Sequence, residues 1–480
     1  MGGGLMQLVI TGHEMDEFIL TNASINYYKY VYKKHTNFSM ENHEITPVNN
    51  GNIGLLRNAS MTYEIKRHGD LLSNMCLSFK IPAIYSSNEL KFRWVNNLGF
   101  NYIHRAYIVI AGQTIETIYG EWMNIWNELT NKDGISYNKL IGNIDEYTKP
   151  STTNPKITII SNKIITLNYP SKNVLTDTIP SIKEREIQVP LHFWFTRNPS
   201  LALPLLKLAN NEIKLVVETN LNAIESLYTV WSDKLNTYVS SKLYNRMNTS
   251  NKISIYNFIK NDPVSSPFDV NNKLHLTYVF LDTIERSRIL MNNNTINYVI
   301  DTVKLAMGDG GYGKYNITNA NNHVKEYIWT IRRSDIITNF NNYTNYTASH
   351  IYNESMGILK KAKIKWINQT DRVDYDANYY NQIQPYYNHT NIPRTGIYCY
   401  SFALFPEKIN TSGSYNNSKI TTSLQLELND YADDIEYTNM INNINLYTNN
   451  VENVTYDVSI FIKEINILAV INGQARLKYV

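Results

Sequence analysis

The stretch Gly308-Asp-Gly-Gly-Tyr-Gly-Lys314 has the spacing of a phosphate-binding loop, in which backbone N–H groups and a lysine cradle an anion. Tyr315 stands where that chemistry needs a Ser or Thr hydroxyl for magnesium. The Asn-rich run from Asn316 onward starts a helix poorly, so no helix N-terminus would face a phosphate. We read the segment as a loop shaped by glycines. The ten histidines are scattered and the two cysteines, Cys76 and Cys399, stand alone, so the metal-ligand spacing of a zinc site is missing. The acidic run Asp430, Asp433, Asp434 and Glu436 lacks the glycine and alternating oxygens of a calcium loop and reads as a solvated face. No Gly-x-Ser-x-Gly supplies a nucleophile elbow. Paired carboxylates for glycoside hydrolysis would meet only in the fold. Arg67-His-Gly-Asp70 reads as a turn between strands. The expectation is a protein without catalytic residues, metal or cofactor.

At 480 residues the chain exceeds what one hydrophobic core usually organises, and two domains are expected. Its hydrophobic fraction of 43% is ordinary, while its charged fraction of 18% is low. Asn makes up roughly one residue in seven, and Tyr, at 37 residues, leads the aromatics. Tyr suits interfaces because it combines apolar area with a hydrogen-bonding tip. The net charge of +3 is spread along the chain and the first basic residue is Lys29, which argues against direct binding of nucleic acid. Two isolated cysteines fit a reducing compartment such as cytoplasm. No apolar run approaches the ~18 residues of a membrane span. The start of the chain lacks the features of a signal peptide, and Met6 occupies the position where a myristoylation motif needs Ser or Thr.

Elements come next. Short strand-like runs at 27–32, 61–66, 75–81, 106–110 and 156–167, separated by turn residues, argue for antiparallel sandwiches. One helix interrupts them: Trp122, Ile125, Trp126 and Leu129 form a single apolar face over 121–129, and we expect an ordinary core helix near the open end of a sandwich. Residues 189–195 alternate as a strand buried on both sides, with Leu191, Phe193 and Phe195 on one face and His192 and Trp194 on the other. Arg197-Asn-Pro199 then turns the chain toward a strand at 212–217. Helical spacing of Ile224, Leu227, Tyr228, Trp231, Leu235 and Tyr238 predicts a connector helix over 223–244. Strands resume at 274–281 and close at 456–462 and 465–471. The resulting division is an arm (1–25), a first sandwich (26–218), a connector (219–272) and a second sandwich (273–480). Long loops are expected at 131–155, 308–350 and 366–396. Asn-x-Ser/Thr triplets at Asn316, Asn342, Asn345, Asn353, Asn368 and Asn388 are glycosylation candidates only in the formal sense, because Asn is so common.

Seven segments, in order, resemble the major capsid proteins of nucleocytoplasmic large DNA viruses. They are the glycine-rich arm with Gly2, Gly3, Gly4, Leu5 and Leu8; residues 27–38; Arg67, Gly69 and Asp70; the helix segment with Trp122 and Trp126; the run with Phe193, Trp194, Arg197, Asn198 and Pro199; residues 281–286; and Phe402, Pro406 and Gly413. The chain departs from the pattern at His13-Glu-Met-Asp16, in the insert at 223–272, and at Tyr415-Asn-Asn417. The resemblance implies a mainly β double jelly roll, made of two tandem antiparallel sandwiches with a few short helices. It also implies a non-enzymatic homotrimer of pseudo-hexagonal outline that tiles an icosahedral shell. The arm would lie beneath, and the partners would be neighbouring capsomers, minor capsid and penton proteins and the internal membrane layer. The product would be a virion capsid assembled in the host cytoplasm. The alternatives are a minor or vertex capsid paralogue and a glycan-binding or carbohydrate-active sandwich of the virion.

Overall fold

Among the described residues every strand pairing is antiparallel, and the strands fall into two pairs of facing sheets, a small three-stranded sheet and a two-stranded hairpin. The computed structural model describes residues 3–10, 15, 20–22, 34–48, 60–85, 91–131, 134–148, 156–160, 163–167, 180–208, 211–220, 224–259, 270–291, 295–308, 313–317, 322–366, 373–418, 422–429, 435–448, 454–471 and 473–479. The expected strand at 27–32, the tip of the glycine loop at 309–312, Gly2, Asn368 and most of the acidic run lie outside the described residues.

In the first half the strands are β1 (Phe38–Ile45), β2 (Ser60–Glu64), β3 (Leu71–Ile81), β4 (Phe92–Trp94), β5 (Ile103–Ile110), β6 (Gln113–Tyr119), β7 (Lys156–Ile160), β8 (Lys163–Leu167), β9 (Arg185–Pro190) and β10 (Ile213–Thr219). Next come β11 (Tyr228–Ser232), β12 (Thr237–Ser240) and β13 (Lys273–Leu281). Sheets ordered β1-β13-β3-β9 and β2-β10-β5-β6 enclose one core, while β7 and β8 form a separate hairpin. Alternation decides which side faces in: Leu274, Leu276 and Tyr278 of β13 are buried, and the residues between them are partly exposed.

The second half holds β14 (Thr295–Gly308), β15 (Gly313–Ile317), β16 (His323–Arg333), β17 (Leu359–Trp366), β18 (Val373–Asp376), β19 (Ile397–Ser401), β20 (Tyr415–Asn416), β21 (Thr422–Leu428), β22 (Tyr456–Ile471) and β23 (Gln474–Leu477). A sheet built on β14-β22-β16-β19 faces one ordered β15-β21-β17-β18. Two jelly-roll sandwiches thus stand in tandem, as expected.

Four details differ from the sequence reading. The strand at 273–281 was expected to open the second sandwich, yet it pairs with β1 and β3 of the first. The predicted connector helix over 223–244 is instead the β11–β12 hairpin followed by a short helix, Ser241–Met247. Thr229, Val230, Thr237 and Val239 are β-branched, and Asn236 turns the chain at φ +49°. Propensity and a turn override helical spacing there. The strand expected through Phe195 stops at Pro190 and gives way to a helical turn, Trp194–Arg197, and a 3-10 turn, Pro199–Leu201. Phe193, Trp194 and Phe195 are all buried, and the turn lets consecutive aromatics point inward together. Finally, the three expected long loops contain ordered elements, among them β16, a central strand of its sheet. Lys325 and Glu326 disguise β16 in the sequence, because both are charged and both are buried.

Replacing Trp194 by Ala should cost about 3–5 kcal/mol, as expected for deleting a fully buried aromatic. Denaturant melts of the two proteins check this; equal midpoints would contradict the packing described.

Candidate functional site: the seam between the sandwiches

The helix Gly120–Thr130 belongs to the first half of the chain but buries its apolar stripe against the second. Trp122, Ile125, Trp126 and Leu129 pack with Val303, Ile328, Cys399 and Phe461. The helix is therefore a wedge between the sandwiches, not a core helix at the open end of one. Gly120 begins it because any Cβ there would collide with the carbonyl oxygens of Phe100 and Ile103. Trp122 and Trp126 stack one turn apart, with ring centroids 5.3 Å apart. Two carboxylates, seven residues apart, flank the stripe. Glu121 accepts from the Thr330 hydroxyl at 2.8 Å and the Ser459 hydroxyl at 3.2 Å, and pairs with Arg332 at 3.0 Å. Glu128 pairs with Arg394 at 2.6 Å.

Beside the wedge lies a buried chain of charges. Glu116 on β6 pairs with Arg197 at 2.5 Å and accepts the Trp194 backbone N–H at 2.8 Å. Burial pushes its carboxyl up to about 7, against the pull of Arg197. Across the seam, Asp301 pairs with Lys325 at 2.7 Å and sits 4.0 Å from Lys463. The Lys463 ammonium lies 3.9 Å above the Trp126 ring and 3.4 Å from Glu326, and donates to the Pro406 carbonyl at 2.6 Å. Burial pushes this lysine down despite Glu326 and Asp301. His389 completes the chain, with Nε2 3.0 Å from Glu326 and Nδ1 3.2 Å from Glu407. Burial alone would lower the histidine, but Glu326 outweighs it and holds the imidazole well above its ordinary value. Burial likewise would raise Glu326, and the charges of His389 and Lys463 hold it low instead. With His389 protonated and Glu116 ionised, four cations (Arg197, Lys325, Lys463, His389) balance four carboxylates (Glu116, Asp301, Glu326, Glu407).

This arrangement can lock and orient. Its charges answer one another in a closed interior, so what it offers is a fixed angle between two sandwiches. Among the described residues no group of acids, histidines and cysteines could hold a metal ion, and no helix is long and apolar enough to cross a membrane. Both cysteines are free.

The residues singled out from sequence are distributed around this seam and at the sheet corners. Arg67 donates to the carbonyls of Leu208 and Asn211. Gly69 lies where a Cβ would come within 2.9 Å of Tyr278 Cβ. Asp70 accepts from the Leu281 N–H and from Arg286, both at 2.9 Å, which joins two segments widely separated in the chain. Asn198 caps the turn that Pro199 begins, accepting from the Ser200 N–H at 2.9 Å. Phe402 stacks on Tyr415 at 5.2 Å, and Gly413, at φ +137°, backs onto the Phe402 carbonyl. Gly3, Gly4, Leu5 and Leu8 lie in an exposed helix, Gly3–Val9, apart from the seam. Of the formal glycosylation sites, Asn345 is 2% exposed and donates its amide to the Ser349 carbonyl, so a glycan has no access to it. Asn342 and Asn388 use their amides on His350 and Gln384. Asn353 is exposed, and Asn316 lies on β15. Sequence reasoning missed Glu116, Glu121, Glu128, Asp301, Lys325, Glu326, His389 and Lys463. A signal existed: Lys-Glu pairs inside apolar strand sequence, at 325–326 and again at 463–464.

Two family models match the chain: the N-terminus of major capsid proteins over residues 26–282, and the large eukaryotic DNA virus major capsid protein over 227–476. The first match ends one residue beyond β13. A major capsid protein of Phaeocystis pouchetii virus is 26% identical, with all of both chains covered. That of Chrysochromulina ericina virus is 30% identical over 69% of this chain and 58% of its own length. Among solved structures, the PBCV-1 protein VP54 fits with a TM-score of 0.65 at 21% identity, covering 95% of this chain and all of that one. The Faustovirus major capsid protein fits with a TM-score of 0.64 at 11% identity, covering 96% and 94%. At such identities the structural likeness speaks for the fold.

Two outcomes follow from the charge chain. Lys463→Met should destabilise the protein by about 3–5 kcal/mol, because it strands Asp301 and Glu326 in the interior; calorimetry measures this, and a neutral or stabilising effect would contradict the pairing. The second concerns pH. His389 is raised in the fold, so its contribution is complete below its ordinary value of 6.5 and is lost as pH climbs through the folded value. Glu326 and Glu407 are lowered, so theirs is present above 4.5 and lost as pH falls through their folded values. His389→Gln should therefore flatten the decline of melting temperature above about pH 7. An unchanged decline would assign it to other groups.

Proposed function

This chain belongs to the family of large eukaryotic DNA virus major capsid proteins, and from that membership we propose that three copies join into a capsomer of near-hexagonal outline. It is a non-enzymatic structural protein of an icosahedral capsid, located in the virion, where it associates with copies of itself. The observation that carries the trimer reading is the seam: each chain is a pair of sandwiches fastened side by side, so three chains supply six similar blocks around one axis. Closed threefold symmetry then limits one contact, while a second must propagate to tile a face.

Exposed apolar residues support self-association. Tyr386 and Tyr387 are 69% and 76% exposed, and Leu404 and Phe405 are exposed nearby. These two segments adjoin, because Gln384 accepts the Ser401 N–H and His389 pairs with Glu407. We place the contact within a trimer in the obligate class, above about 2,000 Å² buried, and contacts between trimers below it. The Gly3–Val9 helix exposes Leu5, Met6, Leu8 and Val9 and precedes the first basic residue, Lys29. That composition suits minor capsid or penton proteins, or the internal membrane layer, better than DNA. Assembly in the host cytoplasm accords with two free thiols.

Sedimentation equilibrium of the purified protein at low micromolar concentration should return a trimer mass. A monomer at that concentration would contradict an obligate interface.

A further inference from the structure

Where the wedge helix leaves the seam, a cleft of about 640 Å³ opens to solvent. Its walls come from both halves of the chain: Asn96 and Asn97 after β4, Asn124 and Asn127 on the helix, the stretch around Asn138 and Asn143, and residues 391–394. Eight of the fourteen described residues lining it are asparagines. Asn forms roughly one residue in seven of the chain, so composition alone would put about two there. Some of these amides hold one another: Asn97 donates to Asn124 at 2.7 Å, and Asn131 donates to Asn127 at 2.9 Å. Such pairing fixes their orientation.

The lining selects among ligand classes. Its cation, Arg394, is already held by Glu128, so an anion gains little. Its apolar residues are Ile392 and Pro393, too few for a hydrophobic ligand or for the side-chain pockets that peptide recognition uses. Asp145 adds one carboxylate, and the rest is an array of neutral amides; some are partly committed to one another, and the others can offer a carbonyl acceptor and N–H donors. Vicinal hydroxyls, which donate and accept at the same centre, are the complementary chemistry. The volume falls within the range of small-molecule sites.

We propose that this cleft binds a short neutral oligosaccharide. The proposal stands on the single chain and does not require the trimer. Binding is carried by uncharged hydrogen bonds, so it should persist at about 0.5 M salt.

The test is an array of neutral, sialylated and sulfated glycans probed with the full-length purified protein, followed by calorimetric titration of the best neutral binder. Neutral glycans should be retained. The double variant Asn127→Ala, Asn138→Ala should lose about tenfold or more in affinity, as removal of two hydrogen-bonding amides implies. Its melting temperature should stay near that of the parent. Lys360→Ala, which removes an exposed side chain paired with Glu427 and outside the cleft lining, should bind as the parent does. If the double variant folds poorly, Asn138→Gln, which crowds the cleft and keeps the amide, serves in its place with the same expected loss. Retention of no neutral glycan, retention of acidic glycans alone, or full affinity in the cleft variants would overturn the proposal.

Discussion

The helix Gly120–Thr130 lends one side to each half of the chain, and the arrangement of the molecule rests on that sharing. Its tryptophans pack against Val303, Ile328, Cys399 and Phe461 of the second half. Glu121 and Glu128 then fix the rotation about that contact by binding groups on the far side. Burying apolar area is non-directional, whereas hydrogen bonds to carboxylates are not. The wedge therefore supplies adhesion and angle together. A shell tile needs both, because an error in the angle within one tile is repeated at every contact it makes.

The charges beside the wedge raise a second question, since buried ion pairs seldom add stability over well-packed hydrophobic residues. Their use here is better understood as specificity. Lys463 reaches Trp126, Glu326 and the Pro406 carbonyl at once, so a slipped or rotated docking would leave an unpaired charge indoors. Arg197 and Glu116 do the same for the turn after β9, where three consecutive aromatics must all find the core. Misdocked arrangements are penalised by several kcal/mol, although the correct one gains little.

Much of the architecture was legible in the residues. Alternation in β3, β10 and β13 and the stripe of Trp122, Ile125, Trp126 and Leu129 gave sandwiches and a helix from patterning alone. Pattern failed where two periods fit the same residues: Tyr228 and Trp231 satisfy helical spacing, yet their β-branched neighbours and Asn236 make a hairpin. It failed again at β16, because rules that send charge to the surface conceal a central strand whose Lys325 and Glu326 are paired indoors. The placement of β13 in the first sandwich could not be read from local sequence at all. Pairing with β1 and β3 is a long-range choice between segments far apart in the chain. The segments that resembled capsid proteins mark corners, turns and the seam; the partners that make those positions matter, such as Glu116 for Arg197, lay outside every motif.

Differential scanning calorimetry tests the central claim most directly. If the wedge and its charges make one block of two sandwiches, the chain unfolds in a single calorimetric transition. Trp126→Ala combined with Glu121→Gln should divide that transition into two. Two separate transitions in the unaltered protein would mean that the sandwiches are merely tethered, and the account of a rigid tile would fail.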